Sequence, residues 1–246
     1  YENFYVDLPE WSRQKAAVFF EAKNTVSFMP KVRLDVFYQQ SHKKMHNHVE
    51  IDPNVVYMPA VMDNYADNYN NQWGLQLQSD FSISDHTYII AGYEFSYNIL
   101  DADTNVDSIS SLSLMNYYKH AKNYGYEQIH ALYAQGESYL PYDFSLHYGI
   151  RWTYNYANMV TSEGTQVYKD TGITNILGED NLGPKGSSST NAPVVAAGVM
   201  WSGIDNFSLR LNFSQGFRSP NLQERYLISS MGGGTIYPNP DLKPET

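Results

Sequence analysis

The sequence predicts an all-β fold, the wall of an antiparallel transmembrane β-barrel built from about seven or eight long strands. Three observations carry that prediction. Apolar and polar residues alternate with period two over stretches longer than a strand of a soluble protein needs. The connections between these stretches are short and long in turn. Tyr (22 residues), Phe (11) and Trp (4) supply much of the apolar content, and these residues favour strands and membrane interfaces.

Taken in chain order, a first strand with weak alternation is expected near residues 16–23. In the second, Val32, Leu34, Val36 and Tyr38 alternate with Lys31, Arg33, Asp35 and Phe37. In the third, Trp73, Leu75, Leu77, Phe81 and Ile83 alternate with Gly74, Gln76, Gln78, Asp80 and Ser82. In the fourth, Ile89, Ala91, Tyr93, Phe95 and Tyr97 share a face opposite Gly92, Glu94 and Ser96. A weaker strand near 124–137 leads to the clearest one, Tyr142–Tyr156. There every even position is aromatic or aliphatic and every odd one is polar or Gly. Such a segment extends about 50 Å at about 3.3 Å per residue, enough to cross a bilayer at a tilt. Its aromatics crowd towards the ends, with Leu146 and Ile150 nearer the middle, as in an interfacial girdle. A weak strand near 192–201 and a strong one over Phe207–Phe213 complete the set.

Short connections are expected near 24–29, 84–86, 138–141 and 202–206. Long ones are expected near 42–68, 101–123 and 157–191, with another beginning at Arg218. A β-sandwich also alternates, but strand length and the one-sided long loops favour the barrel.

Composition narrows the function classes. With no Cys there are neither disulfides nor thiolate metal sites. A formal net charge of -10 argues against a nucleic-acid partner. No apolar run reaches the length of a transmembrane helix, and Tyr1-Glu2-Asn3-Phe4 does not read as a signal peptide. No nucleophile, base and acid fall at an interpretable spacing.

Two motifs near the end are more specific. Gly216-Phe217-Arg218-Ser219-Pro220-Asn221 follows directly from a strand, and Asn239-Pro240-Asp241-Leu242-Lys243-Pro244-Glu245 lies some way beyond. Together they resemble the barrel signature of TonB-dependent outer-membrane receptors, with Ser219 where Ala is commoner. Tyr133-Ala134-Gln135-Gly136-Glu137, followed by Gly149-Ile150-Arg151, is similar to a hairpin of the same family. The resemblance implies a 22-stranded barrel in the bacterial outer membrane, of which residues 1–246 are an internal fragment, with the plug domain and C-terminal strands absent. It implies contact with membrane lipid, energy supplied by the TonB complex through that plug, and no cofactor. It also implies active import of a scarce nutrient, foremost an iron complex such as a siderophore. The segment Asn221–Tyr237 contains no His, which weakens haem; cobalamin and oligosaccharides stay open. A passive porin or adhesive barrel, and an outer-membrane barrel enzyme, are the alternatives.

Several residues are candidate ligand contacts. His42, His46 and His48 are expected where a strand passes into a long loop, His46 and His48 on one face, suited to a metal, haem iron or an anionic chelate. A solvated strand top is the competing reading. Arg225, Tyr226 and Tyr237 could hold carboxylate or catecholate oxygens and planar ligands, whereas Arg218 is expected to pair within the wall. Asp101, Asp103, Asn105 and Asp107 resemble the start of a calcium loop, but Val106 and Leu112 stand where Gly and Glu are needed. The Gly178–Lys185 echo of a P-loop lacks its Gly-Lys pair.

Overall fold

The structure is a computed structural model describing residues 3–52, 60–110, 112–231 and 234–245. One antiparallel sheet dominates it. Strands β1 (Asn3–Val26), β2 (Met29–Glu50), β3 (Val61–Ser84), β4 (Thr87–Ile109), β5 (Tyr117–Leu140), β6 (Phe144–Tyr168), β8 (Gly186–Ile204) and β9 (Phe207–Ser214) lie side by side in chain order. A short β7 (Thr174–Ile176) pairs with β6. A 3-10 turn (Ser113–Met115), two short α-helices, α1 (Glu179–Leu182) and α2 (Leu222–Tyr226), and a small hairpin, β10 (Ser229–Met231) with β11 (Gly234–Ile236), complete the described elements. No helix among the described residues is long and apolar enough to cross a membrane.

The expected seven or eight long strands are present, and the short turns fall where expected. Their tight geometry uses left-handed backbone at Tyr142 (φ 66), Asp143 (φ 60) and Asn206 (φ 61). Tyr142 therefore belongs to the turn, and the strand read as starting there starts at Phe144.

The long connections are shorter than expected, because the strands run on. Residues 42–50 and 61–68 are paired strand, as are 101–109, 117–123 and 157–168. The reason is physical. Period-two alternation records one lipid face and one polar face, but the backbone ladder needs neither. Above the bilayer both faces meet water, so alternation stops while hydrogen bonding continues.

The register locates that boundary. Tyr38 stands opposite Trp73, and Trp73 opposite Tyr97. Ring centroids run Tyr38–Trp73 5.2 Å, Trp73–Tyr97 6.1 Å, Tyr97–Tyr126 5.6 Å and Tyr126–Tyr156 6.1 Å, a continuous aromatic row over five strands. Near the short turns a second group joins Phe144 to Trp201 (6.3 Å) and Trp201 to Phe207 (6.4 Å). Phe144 to Tyr156 is twelve residue steps along β6. At about 3.3 Å per step and a tilt of about 45° this rises about 28 Å, matching an apolar band about 25 Å tall. Leu77, Leu132 and Ile150 lie within the band on the aromatic face, each with 41% or more of its surface open.

His130 is a polar group on that lipid face; its Nδ1 lies 2.7 Å from Tyr93 Oη. On both faces, rings lie over glycines of the neighbouring strand. A Cβ at Gly74 would meet Phe37 at 2.1 Å, and one at Gly136 would meet Tyr148 at 2.4 Å, so neither position accepts a larger residue without displacing its ring.

Candidate functional site

The face opposite the aromatic row is polar, and its charges pair both along and across the strands. Arg33 donates to Asp35 at 2.7 and 2.8 Å, and Arg151 to Glu94 at 2.5 Å. Gln76 reaches the Tyr133 hydroxyl at 3.3 Å, and Gln76, Gln78, Glu94, Tyr133 and Arg151 line a shallow cleft. Alternation puts Arg33, Asp35, Gln76, Glu94, Tyr133 and Arg151 on this face because their neighbours in sequence face lipid.

At the end away from the short turns the chain folds back over this inner face. Leu222 and Tyr226 of α2 pack on Ala157 and Met159 of β6, with Leu100 and Leu227 at the margin. Gly125 allows that approach, since a Cβ there would meet Leu222 at 2.9 Å. The chain beside α1 packs there too: Ser162 Oγ, buried with Asn123, donates to Asn123 at 2.9 Å and lies 3.4 Å from the Gly183 carbonyl. Gly183 is left-handed (φ 96), and a Cβ on it would collide with the Tyr226 carbonyl at 2.0 Å.

The motif residues hold this segment together. Asn221 caps α2 by accepting from the Glu224 N–H at 2.9 Å, while the Glu224 carboxylate accepts from the Asn221 N–H at 2.9 Å, a reciprocal capping box. Arg218 ion-pairs with Glu224 and, at 3.3 Å, with Glu245, and its backbone exchanges hydrogen bonds with Glu245 at 3.0 and 3.1 Å. Asn239 turns the chain by accepting from the Asp241 N–H at 3.0 Å, and its own N–H donates to the Glu224 carbonyl. The two halves of the motif, far apart in sequence, thus form one clasp. The Asn221 N–H first, and then the Arg218 guanidinium, hold the Glu224 carboxyl below its usual range; Glu224 in turn raises Arg218.

Two of the expected ligand contacts are buried. Arg225 is 2% exposed and Tyr226 1%. Arg225 donates to Ser188 and lies 3.5 Å from the Leu242 carbonyl, so both side chains fasten the folded-back segment. Tyr237, 69% exposed, stays open to solution.

The histidines lie elsewhere. His42, His46 and His48 share the parity of Tyr38 on an unbroken β2–β3 ladder, so they occupy the aromatic face, beyond the membrane band. They are residues of β2, His48 two positions from its end, and α2 with its buried Arg225 and Tyr226 packs on the opposite face. His42 divides its ring nitrogens between Glu10 (2.8 Å) and Asp67 (2.6 Å) and stacks on Tyr69 at 3.9 Å. His46 Nε2 and His48 Nδ1 both lie 2.7 Å from the same Asp63 oxygen. These carboxylates stand on the neighbouring strands β1 and β3, far from the histidines in sequence, and the register brings them beside the imidazoles.

The acidic run of β4 is no calcium loop. Asp101, Asp103, Asn105 and Asp107 are alternate residues of a strand instead of a loop, and Asn105 donates to Asp103 at 3.1 Å. The carboxylates also pair beyond β4: Asp103 with His120 at 3.0 Å, Asp101 with Lys122 at 4.0 Å, and Asp107 with Lys169.

Long tilted strands, a lipid-facing band between aromatic rows and a polar inner face define the wall of an outer-membrane β-barrel. The chain belongs to the TonB-dependent receptor family: the family model described as "TonB dependent receptor-like, beta-barrel" matches residues 7–246. These are transport receptors of the bacterial outer membrane, which places the chain there. Among solved structures it is similar to "Copper transporter OprC", with TM-score 0.69 and 15% identity, covering 97% of this chain and 36% of that one. It is also similar to the ferric yersiniabactin uptake receptor FyuA from Yersinia pestis, with TM-score 0.58 and 13% identity, covering 86% of this chain and 29% of that one. At those identities the likeness shows the fold, and the chain spans about a third of either protein's length. No curated protein matches.

Proposed function

We propose that this wall belongs to a receptor that imports a chelated metal ion, foremost an iron–siderophore complex, with energy delivered by the TonB complex through a plug. The observation that carries the reading is the family's barrel signature, built here as a clasp that holds α2 over the inner face at the end away from the short turns. Such a mouth offers polar groups and the open Tyr237 ring to a ligand arriving from outside. The two structural neighbours are a copper transporter and a ferric yersiniabactin uptake receptor, which supports metal as the cargo class. Of the sequence candidates in this segment, the exposed Tyr237 is the one we propose as a ligand contact, while Arg225 and Tyr226 are buried.

The test is uptake by cells with and without the whole receptor, each with TonB intact or deleted. A panel of labelled ferric siderophores, haem, copper and cobalamin would be offered. Uptake of a ferric chelate that requires both receptor and TonB is expected. Uptake without TonB would make the barrel a passive pore, and selective uptake of another cargo would replace the iron assignment.

A further inference from the structure

We propose that His46, His48 and Asp63 form a binding site for a divalent first-row transition-metal ion on the outer surface of the barrel's extracellular extension. The site is separate from the import route, and the argument for it does not depend on what the receptor carries. One ligand atom of each residue lies within 4.8 Å of the other two. Two imidazole nitrogens and a carboxylate oxygen are the donors that zinc, copper, nickel and cobalt ions accept.

The distances are close to what an ion needs. Ligands of a tetrahedral ion with bonds of about 2.0–2.1 Å stand about 3.3 Å apart. Asp63 is now 2.7 Å from each imidazole nitrogen, so admitting the ion widens those gaps by about half an ångström. The protons that now bridge His46 Nε2 and His48 Nδ1 to Asp63 would move to the other ring nitrogens or leave. Three protein ligands leave a further position open to solvent.

The rings are held in place for this. His46 stacks on Tyr65 at 4.2 Å and 10°, and His48 on Tyr5 at 4.9 Å and 17°. The three side chains keep 17–22% of their surface, partly desolvated yet reachable from the medium. The other outward histidines differ. His42 splits its nitrogens between two carboxylates in different directions, and His120 faces Asp103 alone. Because His46 and His48 stand on β2 and Asp63 on β3, a bound ion would pin together the ends of two strands well above the bilayer.

The experiment uses the whole receptor in detergent, titrated with Co2+ while its visible absorption is followed, and with Zn2+ by calorimetry. His48→Gln and Asp63→Asn are compared with wild type and with the control His120→Gln. The heat-modified shift in electrophoretic mobility reports that each barrel is folded. The expected result is one ion more in wild type and control than in either variant, or affinity at that site reduced at least about tenfold. Should one variant fail to fold, the other gives the same comparison. Equal stoichiometry and affinity in wild type and folded variants would overturn the site and leave Asp63 a hydrogen-bond acceptor only. Any site on the import route is common to all four proteins and cancels in the comparison.

Discussion

Ile150→Arg measures directly whether the aromatic face meets lipid. Ile150 stands six steps from Phe144 and six from Tyr156, midway between the two aromatic rows, and 54% of its surface is open in the sheet. Its cross-strand neighbours are Ala134 and Val195, so an arginine there finds no carboxylate directly opposite. About 14 Å of apolar band then separates the guanidinium from either rim, and the cost expected at a bilayer midplane is about 2–4 kcal/mol. The control is Gln135→Arg, on the polar face of β5, exposed and opposite Gly149; its expected cost is below about 1 kcal/mol. Both variants would be made in the whole receptor and folded reversibly from urea into lipid vesicles, with stability read from the denaturation midpoint and slope. Equal destabilisation by the two arginines would refute the assignment of faces, and with it the placing of the histidines outside the barrel.

The remaining predictions concern the folded-back segment and the mouth. Asn221→Ala removes the α2 cap and should cost that segment about 1 kcal/mol, read as faster hydrogen exchange at the Glu224 amide. Because the folded protein holds the Glu224 carboxyl below its usual range, its stabilisation of the clasp is present above the unfolded carboxylate pKa and fades as pH falls through the folded value. Exchange should therefore rise below about pH 4 in wild type, and a Glu224→Gln variant should lack that step. Tyr226→Ala empties a buried site against Met159 and should destabilise the segment by about 3–5 kcal/mol, seen as new protease cleavage between residues 215 and 245. Tyr237→Ala should leave assembly unchanged and weaken ligand binding by about 1–3 kcal/mol; normal affinity in that variant would remove Tyr237 from the mouth.

What the sequence makes legible follows the physics of each region. Between Tyr156 and Phe144 lipid on one side forces alternation, and the faces of β2, β3, β4, β6 and β9 can be read residue by residue. Beyond Tyr156 that force is gone, and Val160 adds a bulge that switches parity: Met159 and Ser162 both end up inward, although three positions apart. Strand ends there could not be read from pattern. The clasp was visible as two motifs, but the docking of α2 on Met159 was not, because burial of Arg225 and Tyr226 depends on a segment near 183 that no local signal links to them. Asp63 was within reach. Setting Leu34 opposite Leu77 fixes an antiparallel register in which His46 faces Tyr65 and His48 faces Asp63.

That register also constrains the route of uptake. A ligand held by His46 or His48 lies on the outer surface of a continuous hydrogen-bonded wall, and the β2–β3 ladder runs unbroken from Lys31–Asp80 to Glu50–Val61. No opening through that ladder leads to the polar face, so a molecule bound there could enter only by leaving and passing over the strand ends. On the opposite, polar face α2 and the chain beside α1 cover β5 and β6. There Glu127 and Asn155, joined at 2.7 Å, lie on the inner face under the segment that carries Arg225. The outward histidines and the folded-back segment therefore lie on opposite faces of one continuous wall.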